Sequence, residues 1–211
     1  MTFIFCLDDN KGMLFNKRRQ SSDAAVLADI GSLLSGRAAD GCTPVDDMTM
    51  LLADNNAGGL YITDFSEKLI SAAGLKYTIW DGRTLPENPA HYAAAETDAV
   101  GSADKLGKID NVNNVSNADK ASTSQNKAGE SACLTTPAFF IENISARPFL
   151  DKADCLVIYW WNRRYPGDFL LDFSPEAEGF RSVSKYDFPG KSHEKITREI
   201  LFRQAAVNNR L

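Results

Sequence analysis

About forty consecutive residues in the middle of this chain, from Tyr92 to Ser131, are built almost wholly from Ala, Asp, Asn, Ser, Lys and Gly. Beyond Tyr92 the stretch holds no aromatic residue, and its few large apolar side chains, such as Leu106 and Ile109, stand alone. Such a segment cannot bury enough apolar surface to offset an ordering entropy of roughly 1–2 kcal/mol per residue. It predicts a low-complexity, disordered insertion at 92–131 between two halves of one domain, 1–91 and 132–211. With the insertion set aside, the remaining length is ordinary for a single domain. Hydrophobic residues at 44% and charged residues at 24% are enough to fill one core.

The flanking halves carry the signals of a mixed sheet with helices. Phe3 to Leu7 is a short apolar run stopped by Asp-Asp-Asn-Lys-Gly, which reads as a first strand ending in a turn. Val26, Ile30, Leu33 and Leu34 recur at helical spacing behind Ser22 as cap and Asp23 in the first turn, with Gly36 as the stop. Met48 to Ala53 reads as a strand. Asp64 and Glu67 have capping-box spacing before Leu69, Ile70 and Ala73, and Gly74 ends that second helix. Lys76–Trp80 and Ala138–Ile141 are further strand candidates. Cys155–Trp161 and Phe169–Phe173 predict an antiparallel hairpin with Asn162–Asp168 at its tip, and Arg181–Phe188 one more strand. A last helix is expected from Ser192, with Ile196 and Ile200 on one face and Glu194/Arg198 and Glu199/Arg203 as i,i+4 pairs. The fold class expected is α/β or α+β, a single domain with a mixed β-sheet and flanking helices.

A net charge of −5 argues against a general nucleic-acid coat protein, though it permits a local basic patch. No apolar run approaches the ~20 residues of a membrane-crossing helix, and the first residues lack the pattern of a secretory signal. Cys6, Cys42, Cys133 and Cys155 are scattered without close pairs, which reads as reduced thiols in a cytoplasmic protein.

Three segments carry candidate chemistry. Asp8 and Asp9 end the first strand, where carboxylates can hold a divalent metal or act as a base, and Lys17, Arg18 and Arg19 follow as a basic triplet suited to phosphate. The bland alternative is a solvated connecting loop. Arg163 and Arg164 stand beside Tyr165, Trp160 and Trp161, a mixture able to pair with phosphates and stack on bases, or simply an exposed turn. Ser192 and His193 begin the expected last helix, where free N–H groups favour an anion and His193 can transfer protons near neutral pH. With His91 and His193 the only histidines, no multi-histidine metal site can form. The P-loop, the dinucleotide fingerprint and the serine nucleophile elbow are all absent.

Leu7–Ser21, Trp161–Asp168 and Ser192–Thr197 resemble segments of a family of small uncharacterised proteins from Gram-positive bacteria. Some members carry a ribonuclease Z label. That activity depends on an H-x-H-x-D-H metal motif, which this sequence does not contain. The first strand with Asp-Asn-Lys-Gly-Met is also similar to the opening of dihydrofolate reductases, a resemblance that bears on fold alone. The leading expectation is an anionic ligand, a nucleotide or RNA, held through Lys17, Arg18, Arg19, Arg163, Arg164 and the Ser192–His193 segment. The alternatives are a metal-dependent hydrolase or nuclease using Asp8, Asp9 and His193, and a protein-interaction module without a small ligand.

Overall fold

In the computed structural model, the residues described are 1–19, 22–35, 59–86 and 136–204. All of them belong to one compact unit formed by Met1–Ala93 and Cys133–Leu211. The expected strand at Met48–Ala53, the stop at Gly36, the insertion at 92–131 and His91 lie outside the described residues.

Strand β1 (Thr2–Leu7) organises the fold because every one of its six residues is buried. It takes a parallel partner on each side, β6 (Ala138–Phe140) and β7 (Cys155–Trp160). Beyond β6 lie β4 (Leu60–Ile62) and β5 (Thr78–Ile79), both parallel to it. Beyond β7, β10 (Ile196–Arg203) and then β9 (Phe180–Phe188) add antiparallel strands, which completes a seven-stranded mixed sheet ordered β5-β4-β6-β1-β7-β10-β9. A second, three-stranded sheet joins β2 (Gly12–Phe15) to β3 (Arg18–Arg19) and β8 (Gly167–Leu170).

Side chains alternate across the large sheet, so each face acquires its own core. Ile4, Cys6, Phe140, Val157 and Tyr159 face helix α1 (Ala24–Ser35) and helix α2 (Asp64–Ala72), which contribute Val26, Ile30, Leu33 and Ile70. Phe3, Phe5, Phe139 and Ile158 face the other way, onto Phe149 and Leu150 of a 3-10 segment (Arg147–Lys152) and onto Leu171 and Phe173. Phe139 sits 5.1 Å from both Tyr61 and Trp80 and 5.7 Å from Phe3, an aromatic cluster in which each buried ring contributes about 1.5–3 kcal/mol.

Three expectations are corrected. The last helix is strand β10. It pairs with β7 at one edge and β9 at the other, and its two faces enter the two cores, so apolar and charged residues alike fall at buried positions. Ile196 and Ile200 share a face in a strand as well as in a helix, and the proposed i,i+4 pairs do not exist. Arg198 instead meets Asp29 of α1 at 3.0 Å, and Glu199 meets Lys185 of β9 at 3.1 Å. The expected hairpin is also replaced, since β7 pairs with β1 and β10 while β8 joins the small sheet. The solvated loop before α1 is a hairpin, β2 to β3. Its two turn residues, Asn16 and Lys17, have φ of 50° and 56°, and positive φ at both positions gives the twist that suits a two-residue hairpin turn.

Candidate functional site

The C-terminal ends of β1 and β7 lie side by side, because Thr2–Leu7 pairs in parallel register with Cys155–Trp160. At the end of β1, Asp8 is fully buried. Its Oδ1 accepts the N–H of Asn10 at 2.8 Å and of Gly12 at 2.6 Å, and its Oδ2 accepts the N–H of Tyr165 at 2.7 Å. Asp8 therefore ties the β1–β2 turn to the loop that follows β7. Glycine suits position 12, since a Cβ would stand 3.0 Å from the Asp8 Oδ1 and press on the bonded carboxylate. Asp9 adds a backbone bond, donating its N–H to the Arg163 carbonyl at 2.9 Å. Three of the roughly four lone-pair sites of the buried Asp8 carboxylate are taken by backbone N–H groups, contacts that make it a clasp and leave little room for the expected role as metal ligand or base. Among the described residues no group of three or more His, Cys, Asp or Glu side chains is placed to hold a metal ion. Asp9 is exposed and borders an open groove of about 700 Å³ beside Trp160 and Asn162.

The clasp brings the two basic segments onto one flank. Phe15 of β2 lies between Arg18 of β3 and Gly167 of β8, so neighbouring strands set Arg18 roughly 10 Å from the β7–β8 loop. The Lys17 N–H donates to Asp168 at 2.8 Å, and the Phe15 and Tyr165 rings are 5.6 Å apart. Lys17, Arg18, Arg163 and Arg164 are exposed, and none of the four forms an ion pair among the described residues. Arg19 pairs through its backbone with Leu14.

His193 joins this flank from the segment before β10. Its Nε2 lies 2.9 Å from the Tyr165 hydroxyl and its Nδ1 lies 2.9 Å from the Ser192 Oγ. The Ser192 hydroxyl donates to Asp23 Oδ2 at 2.8 Å, and the Ser192 N–H reaches the same oxygen at 2.7 Å. With the His193 ring neutral, one arrangement of protons satisfies every contact. Because an ionised carboxylate only accepts, the Ser192 hydroxyl proton is committed to Asp23, so His193 must donate from Nδ1 to the Ser192 oxygen. His193 Nε2 is then an acceptor, and Tyr165 donates its proton to it. Burial pushes the Asp23 carboxyl up, but the N–H groups of Ser192, Lys191 and Ala25 and the Ser192 hydroxyl outweigh it and hold the group below its usual range. Burial, helped by the Arg163 charge and opposed by Asp23, holds His193 below the ordinary histidine range.

Ser192 is thus not an anion donor at a helix start. Its N–H and O–H both end on Asp23, and no helix begins there. Trp161 is not free to stack on bases either, and the N–H of Trp160 is already engaged. Trp161 is 1% exposed with its ring 4.4 Å from that of His193, while Trp160 is half-buried and donates Nε1–H to Glu199 at 2.8 Å. Sequence reasoning missed Asp23 and Tyr165 as members of the cluster. Asp23 was legible as a helix-start carboxylate, which accepts the Ala25 N–H at 2.9 Å, but nothing local in the sequence joins it to a segment some 170 residues away. No protein-family model matches this chain, and no curated protein is significantly similar to it.

Proposed function

We propose that this protein binds an anionic ligand, a nucleotide or a short stretch of RNA, on the flank formed by the β2–β3 hairpin and the β7–β8 loop. The observation that supports this reading is that Lys17, Arg18, Arg163 and Arg164, in two segments far apart in sequence, come to one end of the sheet with side chains that form no ion pair among the described residues. In a chain of net charge −5, exposed cations gathered at one end give a local field that attracts phosphate. Tyr165 and Phe15 supply aromatic surface beside them, in place of the tryptophans. The free, buried thiols of Cys6 and Cys155 fit a reducing, cytoplasmic setting. No helix among the described residues is long and apolar enough to cross a membrane.

The test is fluorescence anisotropy with a labelled single-stranded RNA and with a fluorescent nucleotide, across 50 to 300 mM salt. If about three phosphates are neutralised, log K falls against log salt with a slope near −2 for the RNA. Replacing Arg163 and Arg164 together by Gln should flatten that slope and weaken binding by roughly tenfold or more. Salt-insensitive binding, or unchanged affinity in the double variant, would sink the proposal.

A further inference from the structure

We infer that the Tyr165 hydroxyl is an anion-binding donor held in reserve by His193, and that protonation of His193 releases it, so this site takes up a proton when it takes up an oxyanion such as sulfate or a phosphate ester. The inference rests on the reading of the basic flank given above and adds to it a residue and a condition. Its basis is the hydrogen-bond polarity. With His193 neutral, Tyr165 spends its only O–H on Nε2 at 2.9 Å, so it offers an incoming anion nothing but oxygen lone pairs. With His193 doubly protonated, Nε2–H donates to the Tyr165 oxygen, and the phenolic proton must turn to another acceptor. The change at one ring therefore adds a positive charge and a hydrogen-bond donor to the same place.

The surroundings fix the ring while leaving its charge state free to change. Trp161 lies 4.4 Å from the His193 ring on one side, and Tyr165 meets it edge to face at 6.2 Å. At the far end, Ser192 accepts from Nδ1 in either state, so the link to Asp23 survives protonation. The charged and titratable groups acting on His193 are Asp23 from the start of α1, Arg163 from the β7–β8 loop, and Tyr165 itself. Asp23 favours the charged ring and Arg163 opposes it. An anion bound at Arg163 would remove that opposition, which is the physical link between ligand and proton.

Sulfate is the probe to use, because it does not titrate between pH 5 and 8. Sulfate affinity of the full chain, read by the chemical shifts of the Arg163 and Tyr165 amides, should rise about tenfold from pH 8 to pH 5.5. His193→Gln should abolish the rise, and Tyr165→Phe should reduce it to about threefold by removing the donor while keeping the charge. Nitrogen-15 spectra of His193 supply a readout that needs no ligand, with Nδ1 carrying the proton at pH 8. A proton on Nε2 at pH 8, or a pH dependence identical in wild type and His193→Gln, overturns this inference while leaving the basic flank standing. If sulfate binds at no pH, or binds unchanged after Arg163 and Arg164 are replaced, both readings fall.

Discussion

Asp8→Asn separates a structural carboxylate from a catalytic one. The native Asp8 side chain is fully buried and accepts three backbone N–H groups at 2.6 to 2.8 Å. Hydrogen bonds to a charged group contribute about 1.5–3 kcal/mol each, and a buried donor left without a partner costs about 1–3 kcal/mol. Asparagine can keep its oxygen toward Asn10 and Gly12, but its amide then points N–H against the N–H of Tyr165. The expected loss is about 2–3 kcal/mol, a large part of the ~5–15 kcal/mol that holds a domain folded. Asp8→Ala, which orphans all three donors, should cost about 3–5 kcal/mol. Urea unfolding should show the midpoint falling by about 1–2 M for Asp8→Asn with an unchanged slope. Hydrogen exchange should show protection lost first at Gly12 and Tyr165. If Asp8 were instead a cation ligand or a base kept charged at the expense of stability, the metal-free Asn variant would be as stable as wild type or more so. A midpoint shift below about 0.3 M in both variants would refute the clasp.

Three other substitutions probe the same end of the molecule and its support. Gly190→Ala would place a Cβ 2.8 Å from the Asp23 Oδ2 and 2.6 Å from the Ile196 side chain, and overpacking of that kind is expected to cost about 1–3 kcal/mol in chemical unfolding. Asp23 has a folded pKa below its unfolded value, so its stabilisation is full above the ordinary carboxylate range and is lost as pH falls through the folded pKa. Asp23→Asn should therefore shrink the drop in Tm on acidification below about pH 4 while lowering Tm at pH 7; an unchanged acid limb would refute the role given to this carboxylate. Arg198 is 3% exposed and holds Asp29 at 3.0 Å, so Arg198→Ala, which leaves a carboxylate behind, should destabilise by about 3 kcal/mol in urea titration, more than Lys195→Ala at its exposed pair with Asp187.

How much of this was legible in the sequence differed from element to element for identifiable reasons. Strand β1 and helices α1 and α2 declare themselves through local pattern, because each buries one face or one run and ends at polar or glycine residues. Strand β10 does not, because Arg198 and Glu199 are buried on opposite faces and are satisfied by partners that only the tertiary fold supplies, Asp29 on one side and Lys185 and Trp160 on the other. Its alternation was erased by paired charges. The misreading of β7 had a usable warning. Cys155–Tyr159 is buried without alternation, and an unbroken apolar run indicates a strand covered on both faces with a neighbour at each edge rather than half of an isolated hairpin. Lys17 is an uncommon residue for a positive-φ turn position, so the β2–β3 hairpin gave little advance signal. Of the candidate site, the basic residues were legible as types, but their meeting depends on Asp8 and Tyr165, whose contact spans 157 residues.

The same contacts bear on the anion site proposed at this end of the sheet. Asp8, Asp23 and Glu142 are buried near the C-terminal strand ends or the start of α1, and their bonds run to backbone N–H groups and to the hydroxyls of Ser192 and Ser66. For Asp8 and Asp23, amide and hydroxyl dipoles stabilise a charged carboxylate in a buried place. Beside them at the same end of the sheet, other carboxylates do meet cations, as Glu199 meets Lys185 and Asp187 meets Lys195. On the proposed reading, pairing Arg163 or Arg18 with a carboxylate in that way would weaken the attraction for the ligand. The buried carboxylates thus do two things at once. Asp8 holds the β1–β2 turn to the β7–β8 loop and Asp23 holds the Ser192–His193 segment to the start of α1, and on the proposed reading these bonds leave the neighbouring guanidinium groups available to an outside anion.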